Sequence, residues 1–326
     1  MNAEKRRLIA NIAYLYYVEG KTQTEISQQL DIYRTTVCRL LSRAKKEGIV
    51  QIDIKDYDPA LFALEEYTRK KYGLKRLELV VDQIGDSREA RTENIARAAA
   101  ELVKNVIKNG DVVGISWGST LEKLVNNIGS KFLEDVKFCP LTGGPSDINP
   151  RYHVNTLVYR IARAFHGRGT FVNAMVVQES ISLAQGICRS KYFNALSRAW
   201  KSLDVAIVGV GGAPDKSHVS YWRDLLSEDD YQNLQQAGAV GDLCCRFFDE
   251  QGEAVCPELQ NRTIGVSLGR IESIPKTIAV ACGTSKAAGI LAALRKKYIN
   301  YLVTDKTTIL KVLELDNDVN VASFIN

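Results

Sequence analysis

Between residues 22 and 48, apolar and polar positions repeat at helical spacing on both sides of one short turn. Ile26 and Leu30 are four residues apart, and Ile32 follows in the turn. Beyond the turn, apolar residues recur at intervals of three and four, at Val37, Leu40, Leu41 and Ala44. This pattern predicts a helix-turn-helix whose two amphipathic helices bury their apolar stripes against each other.

The segments that flank this pair are also patterned. Upstream, the apolar positions of an amphipathic helix are Leu8, Ile9, Ile12, Leu15 and Tyr16. Downstream, residues 50–55 alternate with period two and predict a wing strand. Asp58 and Pro59 then begin a further helix that is expected to end at Tyr72, before Gly73.

From residue 77 onward, short apolar runs alternate with helical segments, of which the longest spans residues 88–108. The runs expected to form strands are residues 77–81, 111–116, 136–141, 170–177, 204–210, 277–282 and 301–305. Buried strands separated by crossover helices predict an α/β fold with a doubly wound, mainly parallel sheet. We therefore divide the chain into a winged-type helix-turn-helix domain (1–56), a linker helix (57–76) and an α/β domain (77–326).

The second helix of the pair has a polar face with the chemistry of a DNA contact surface. Between Ile32 and Lys46 every charged side chain is basic, which suits neutralisation of phosphates. Arg34, Thr35 and Thr36 occupy the first turn, the part of a recognition helix that reaches base edges. The residues expected to contact DNA are Thr24, Tyr33, Arg34, Thr35, Thr36, Arg39 and Arg43.

The helix-turn-helix differs from the usual pattern at one position, and its basic face has one alternative explanation. Asp31 stands in the tight turn where glycine is common, and aspartate enters the left-handed region more easily than most residues. The alternative is that two short helices with a basic face form an ordinary solvated surface. The agreement between turn position, apolar spacing, small Ser27 and the basic face favours DNA binding.

Composition limits the remaining possibilities. The chain has 326 residues, which indicates about two domains, and its net charge of +5 is only mildly basic. Residues 1–56 hold ten Lys and Arg against seven Asp and Glu, so positive charge is concentrated near the helix pair. The seven cysteines show no C-x-x-C spacing, and no apolar run is long enough to span a bilayer. We expect a cytoplasmic protein with reduced thiols, no metal, no cofactor and no membrane partner.

Four predicted strands are followed by loops suited to bind an anion. These loops contain Trp117-Gly118-Ser119-Thr120, Thr142-Gly143-Gly144, Gly211-Gly212 and Gly283-Thr284-Ser285-Lys286. Glycine lets backbone amides approach an anion, and a helix N-terminus adds partial positive charge. Glycine at a single such turn usually serves only the turn. Because carboxyl ends of parallel strands share one edge, the loops together predict a site for a phosphorylated or polyhydroxylated molecule.

Several motifs taken together resemble the SorC family of sugar-binding transcriptional regulators, a DeoR-like family. The motifs are IYRTTVCRLL, GDVVGISWGSTL, PLTGGPS, RYHVNTLVYRIA, DVAIVGVGG, GAVGDLCCRFFD and INYLVTDKTT. They are similar in particular to the regulators of sorbose and sorbitol operons. The resemblance implies a C-terminal domain that is related to sugar-phosphate isomerases and binds a sugar or sugar phosphate, and dimers that assemble into tetramers. It also implies a regulator of a sugar utilisation operon that binds operator DNA under allosteric control.

The resemblance further implies which residues bind the effector. These residues are Gly118, Ser119, Thr120, Thr142, Gly143, Gly144, Arg246, Lys286 and Asp305. Some relatives have lysine where this chain has Thr142, and threonine cannot form a Schiff base. We therefore expect the effector to bind reversibly and without a covalent bond.

Two other classes of function remain as alternatives. The first is a sugar-phosphate isomerase or deaminase with an appended DNA-binding domain. Its available acid or base groups are His153, His166, His218 and scattered carboxylates, of which Asp215 could imitate a catalytic acid. A lone histidine at a helix start is more often structural, and the fold alone cannot establish catalysis, so we expect no catalytic residues. The second is an architectural protein whose large domain only oligomerises, which would leave the four anion-friendly loops unexplained.

Overall fold

The computed structural model describes residues 3–52, 58–81, 85, 87–145, 150–214 and 225–325. It separates into two compact units, Met1–Asp58 and Pro59–Asn326. Each unit has its own hydrophobic core. The boundaries of a linker at 57–76 stay a prediction.

Three helices form the first unit: α1 (Ala3–Tyr17), α2 (Gln23–Leu30) and α3 (Arg34–Lys46). Ile9, Ile12, Ile26, Val37 and Ala44 are fully buried together, because the helical spacing of the apolar positions directs them to one centre. The predicted helix-turn-helix is therefore confirmed, and α1 supplies its third side. Residues 53–55 of the predicted wing strand lie outside the described residues.

The turn between α2 and α3 explains the tolerance of aspartate. Asp31 has φ of 50° and lies in the left-handed region, as the sequence predicts. Its N–H group donates to the carbonyl oxygen of Ser27, and the Ser27 hydroxyl donates to the carbonyl oxygen of Ile32 at 2.6 Å. The small polar Ser27 side chain therefore closes the turn from inside. Helix α2 itself begins at a reciprocal capping box formed by Thr22 and Glu25.

The second unit begins with α4 (Pro59–Tyr72), at the predicted bounds, and Gly73 follows it with φ of 68°. Its other helices are α5 (Arg88–Val106), α6 (Ser119–Asn127), α7 (Val154–Ala164), α8 (Ile181–Arg189), α9 (Asn194–Lys201), α10 (Glu228–Gln236), α11 (Pro257–Arg262), α12 (Leu268–Glu272), α13 (Ala287–Arg295), α14 (Lys306–Leu315) and α15 (Ala322–Ile325). Its strands are β1 (Arg76–Val80), β2 (Val112–Ile115), β3 (Lys137–Pro140), β4 (Arg168–Gly169), β5 (Val205–Val208), β6 (Gly241–Leu243), β7 (Arg246–Phe248), β8 (Lys276–Val280) and β9 (Tyr301–Asp305). Short 3-10 turns lie at Pro150–Tyr152, Lys191–Phe193 and Thr284–Lys286.

Seven of these strands form one parallel sheet in the order β1-β9-β8-β5-β2-β3-β4. Successive residues of the central strand β5 belong to two different hydrophobic cores, one on each face of the sheet. Val205 and Ile207 pack with α5 and α6, whereas Ala206 and Val208 pack with α13 and α14. Helices therefore cover both faces of the sheet, which confirms the predicted doubly wound α/β fold.

The expected strand at residues 170–177 is wrong. Only isolated bridges occur there, at Met175 and Val177. The Asn155 side-chain amide accepts from the Val172 N–H at 3.0 Å and donates to its carbonyl oxygen at 2.7 Å. A side chain thus satisfies the backbone groups that a neighbouring strand would otherwise pair. The edge position of the sheet is taken by the two residues of β4 instead.

A second difference is the antiparallel hairpin of β6 and β7, which the apolar pattern does not predict. Each strand has only three residues, and Asp242 and Arg246 interrupt the apolar run. Across the described residues, no helix is long and apolar enough to cross a membrane.

Candidate functional site

The order of the strands creates a crevice at one place in the sheet. From β2 the chain moves outward to β3 and β4, and it then returns to pair β5 on the other side of β2. The loops after β2 and β5 therefore diverge at the carboxyl edge, where ligands bind in open parallel sheets. A cavity of about 130 Å³ lies at this position.

The cavity brings together four of the residues predicted to bind an effector. Gly118, Ser119 and Thr120 line it at the start of α6, and Lys286 lines it from the turn after β8. Gly118 has φ of 132°, a conformation that favours glycine, and it precedes the first free amides of α6. The other lining residues are Ser116, Trp117, Leu121, Gly209, Val210, Gly211, Asp242, Cys244, Cys245 and Val280.

Two opposite charges face this cavity. The Asp242 side chain belongs to a residue that is 7% exposed, and one of its oxygens accepts from the Cys245 N–H at 3.1 Å. Burial raises the pKa of Asp242 to about 7, against the opposing influence of the Lys286 ammonium group. Burial likewise lowers the pKa of Lys286, while Cys282 and Asp242 oppose that shift. The cavity thus presents an acceptor that can be protonated and a partly buried cationic donor.

The loop after β3 lies away from the cavity lining. Thr142 is buried, and its hydroxyl donates to the Gly143 carbonyl oxygen at 2.9 Å. A Cβ atom on Gly143 would lie 2.5 Å from the Met175 carbonyl oxygen, and one on Gly144 would lie 2.5 Å from His153 Nε2. Close packing therefore explains both glycines, and contact of these three residues with an effector stays a prediction.

Arg246 and Asp305 hold protein groups in place. Arg246 donates to the carbonyl oxygens of Thr263 at 3.0 Å, Gly265 at 2.7 Å and Val266 at 3.2 Å, and also to Gln260. Asp305 caps α14 by accepting from Thr308 N–H at 2.6 Å. Both residues act as structural anchors near the loops, and their contact with an effector stays a prediction.

Four residues of the cavity are not predicted from the sequence: Ser116, Asp242, Cys244 and Cys245. Cys244 and Cys245 both have positive φ, 53° and 64°, and form the two-residue turn between β6 and β7. Two consecutive non-glycine residues in this region are costly, and the Asp242 carboxylate supports the turn through the Cys245 N–H. The GDLCCRF motif contains three of these residues, but the family resemblance implies a role for Arg246 alone, and the apolar pattern does not predict the hairpin.

Gly211 makes room for the buried carboxylate. A Cβ atom at this position would lie 1.8 Å from Asp242 Oδ1, and one at Gly212 would lie 2.8 Å from the Ser285 carbonyl oxygen. Both positions after β5 therefore require glycine, because the hairpin lies close to Gly211 and the turn that carries Lys286 lies close to Gly212. Gly211 also lines the cavity, and the contact of this loop with an anion stays a prediction.

The residues predicted to contact DNA lie on α3 and at its N-cap, Tyr33, except for Thr24, which lies on α2. Thr24, Arg34, Thr35 and Arg39 are exposed, and Tyr33 is 84% exposed. Thr36 and Arg43 are half-buried, and Arg43 Nε donates to Glu47 Oε1 at 2.5 Å. The apolar face of α3 is wholly engaged in the core, so its polar face is left for a partner.

Other candidate sites have less suitable chemistry. A depression of about 320 Å³, lined by Phe132, Asp135, His166 and Arg168 among others, lies at the amino edge of β3. His153 accepts from Asn155 N–H through Nδ1 at 3.2 Å, and burial lowers its pKa, which fits a structural role. Within the described part of the chain, no cluster of His, Cys, Asp and Glu could hold a metal. Asp215 and His218 lie outside the described residues.

Replacement of Gly211 should reveal the close approach. We expect Gly211→Ala to lower the free energy of unfolding by about 1–3 kcal/mol, since its methyl group must displace Asp242. Gly209→Ala is the matched control, because a Cβ atom there meets nothing within 4 Å. Chemical denaturation measures both, and equal stability of the two variants would contradict the packing argument.

The raised pKa of Asp242 predicts a dependence of stability on pH. The folded protein holds this proton more tightly than the unfolded chain does, since the pKa rises from 3.8 to about 7. The contribution of Asp242 to stability should therefore be complete below pH 4 and decline as the pH rises to about 7. Denaturation between pH 4 and 8 should show a shallower decline for Asp242→Asn than for wild type; parallel curves would refute the assignment.

Two family models match this chain. The model of a sugar-binding domain matches residues 59–314, and the model of a homeodomain-like domain matches residues 2–52. The first covers most of the unit that contains the cavity, and the second covers the unit that contains α3. The sugar-binding model begins at Pro59 and therefore includes α4.

Named relatives extend over nearly the whole chain. The sorbitol operon regulator of Klebsiella pneumoniae is 35% identical over 94% of this chain and 98% of its own length. The deoxyribonucleoside regulator of Bacillus subtilis is 32% identical over 94% of this chain and 97% of its own length. The crystal structure of the full-length Klebsiella regulator SorC superimposes with a TM-score of 0.75 at 33% identity, covering 96% of this chain and 100% of that one. These relatives are regulators and not enzymes, as expected for this chain, which belongs to the SorC family of sugar-binding transcriptional regulators.

Proposed function

We propose that this protein regulates a sugar utilisation operon of the sorbose or sorbitol type. In this proposal, a sugar or sugar phosphate in the cavity controls how tightly the protein binds its operator. The observation that carries the proposal is the convergence of the α6 N-terminus, Lys286 and Asp242 at the switch point of the sheet. Two relatives are named a sorbitol operon regulator and a deoxyribonucleoside regulator, and both named compounds carry hydroxyl groups.

The two sides of the cavity suit the two parts of a phosphorylated sugar. The free amides at the start of α6, with Ser119, Thr120 and Lys286, can donate hydrogen bonds to a phosphate. Asp242 can accept hydrogen bonds from sugar hydroxyl groups, and its protonation state adjusts to the charge of the guest. Binding through hydrogen bonds alone would be reversible, which an inducer or co-repressor requires.

In this proposal, α3 binds the operator DNA. Arg34, Thr35 and Arg39 are exposed along one side of the helix, at positions from which they can reach base edges and phosphates. A single copy offers one such helix, and specific operators usually present two half-sites. We therefore propose that the protein acts as a homo-oligomer, a dimer or a tetramer assembled from dimers, whose arrangement responds to the effector.

Arg39→Ala should weaken operator binding without disturbing the cavity. The loss of one arginine from the DNA face should reduce affinity for the promoter DNA of its own operon roughly tenfold to a hundredfold. Fluorescence anisotropy measures this affinity, and Arg198→Ala, which changes an exposed arginine of the second unit, serves as the control. Unchanged DNA affinity in Arg39→Ala would refute the proposed role of α3.

Lys286→Met should weaken the response to phosphorylated sugars. A ligand that binds only the folded state raises the melting temperature, so wild type is tested with L-sorbose, D-sorbitol and their phosphates. We expect at least one phosphate to stabilise wild type and the exposed-site control Lys201→Met, and to stabilise Lys286→Met much less. If no compound raises the melting temperature of wild type, the proposed effector is refuted. If the melting temperature rises equally in all three proteins, Lys286 does not take part in binding the effector.

A further inference from the structure

Helix α14 connects two polar networks, one at each of its ends. The first network holds the turn that carries Lys286. The Gly283 N–H donates to Thr308 Oγ1 at 2.8 Å and lies 3.3 Å from Asp305 Oδ2. The Thr308 hydroxyl in turn donates to Asp305 Oδ2 at 2.5 Å. The cavity turn is thus hydrogen-bonded directly to the N-terminal end of α14.

The second network lies beyond the C-terminal end of α14 and holds α4. Lys71 of α4 pairs with Asp316 at 2.9 Å and with Asp318 at 2.6 Å. Tyr67 donates to Asp318 at 2.7 Å, and Tyr72 donates to Asp316 at 3.0 Å. Three side chains of one helix therefore converge on two carboxylates that follow α14.

The two networks differ in their exposure to water: the carboxylate of the first is buried, and the second is only partly shielded. Asp305 and Thr308 are buried. The side chain of Asp318 is 2% exposed and that of Lys71 is 26% exposed, which distinguishes this pair from ordinary surface ion pairs. Multiple donors on each carboxylate offset the cost of removing its charge from solvent. Displacement of one partner is therefore resisted by the others.

Helix α14 itself has the properties of a rigid connection. Its ten residues span roughly 15 Å at the rise of an α-helix. Ile309, Val312 and Leu313 are fully buried in the core that also contains α13. Close-packed helices of this kind move as whole bodies and do not deform continuously.

We propose that α14 couples the effector cavity to α4, with Asp316, Asp318, Lys71 and Tyr67 as positioning residues. The inference rests on the proposed function, because it describes how occupancy beside Lys286 would reach the rest of the chain. A guest that shifts the Gly283–Lys286 turn moves the N-terminal end of α14. The contacts of α4 with Asp316 and Asp318, which together form a clamp, transmit this movement to α4. In the sequence, α4 is the first helix after the DNA-binding unit.

Hydrogen exchange of the full-length protein, without any sugar, tests the connection. We compare wild type with Lys71→Met and with the milder Tyr67→Phe, which removes only a hydroxyl group. Loosening the clamp should accelerate amide exchange at the far end of α14, in peptides covering residues 281–288 and 303–310, by about threefold or more. The peptide covering residues 204–210, in β5, should exchange as in wild type.

A matched control removes an ion pair outside the path. Lys296 pairs with Glu253 on the same unit, so Lys296→Met deletes a lysine of similar exposure without touching the clamp. It should leave exchange at residues 281–288 and 303–310 unchanged. The proposal is overturned if Tyr67→Phe and Lys71→Met both leave those peptides at the wild-type rate, or if residues 204–210 accelerate equally in both variants.

A second measurement adds D-sorbitol 6-phosphate as the probe. If it raises the melting temperature of wild type, it should also change exchange over residues 59–72 in wild type and much less in Tyr67→Phe. An equal change in both proteins would contradict coupling through the clamp. If the probe and the other sugars fail to stabilise wild type, the proposed effector fails, while the sugar-free comparison still decides the coupling.

Discussion

The burial of Asp242 at the carboxyl edge of the sheet is the constraint on which the cavity depends. A carboxylate removed from water must receive hydrogen bonds or a counter-charge, or else keep its proton. Here it accepts from the Cys245 N–H, faces Lys286 and carries a pKa raised to about 7. The hairpin, the end of β5 and the turn before α13 must therefore meet within one narrow space.

Small residues make that meeting possible. Cβ atoms on Gly241 and Gly289 would each lie within 3 Å of the Gly211 carbonyl oxygen, so three backbone segments approach more closely than larger residues permit. The same contacts leave little freedom for rearrangement in any one segment. A ligand that alters one of them must alter its neighbours, which is the property required of a site that signals.

The two units divide the physical work of the protein. In the first unit, the apolar faces of three helices are buried in a small core, and the basic face of α3 stays exposed. In the second, two cores on opposite faces of a parallel sheet hold the loops that build the cavity. Residues 1–56 hold ten Lys and Arg against seven Asp and Glu, so the positive charge of the chain is concentrated in the unit that contains α3.

The amino-acid sequence alone determined the features that arise from local periodicity: the helix-turn-helix, the left-handed Asp31, the bounds of α4, most parallel strands, and the glycine loops at their ends. It also placed Gly118, Ser119, Thr120 and Lys286 near one another, because parallel strands end at a common edge. Tertiary structure decided the rest. The hairpin of β6 and β7, the role of Asp242 and the replacement of a strand by Asn155 all arise from contacts between residues distant in the chain. Burial and close approach are properties of such contacts, and no spacing within a single segment records them.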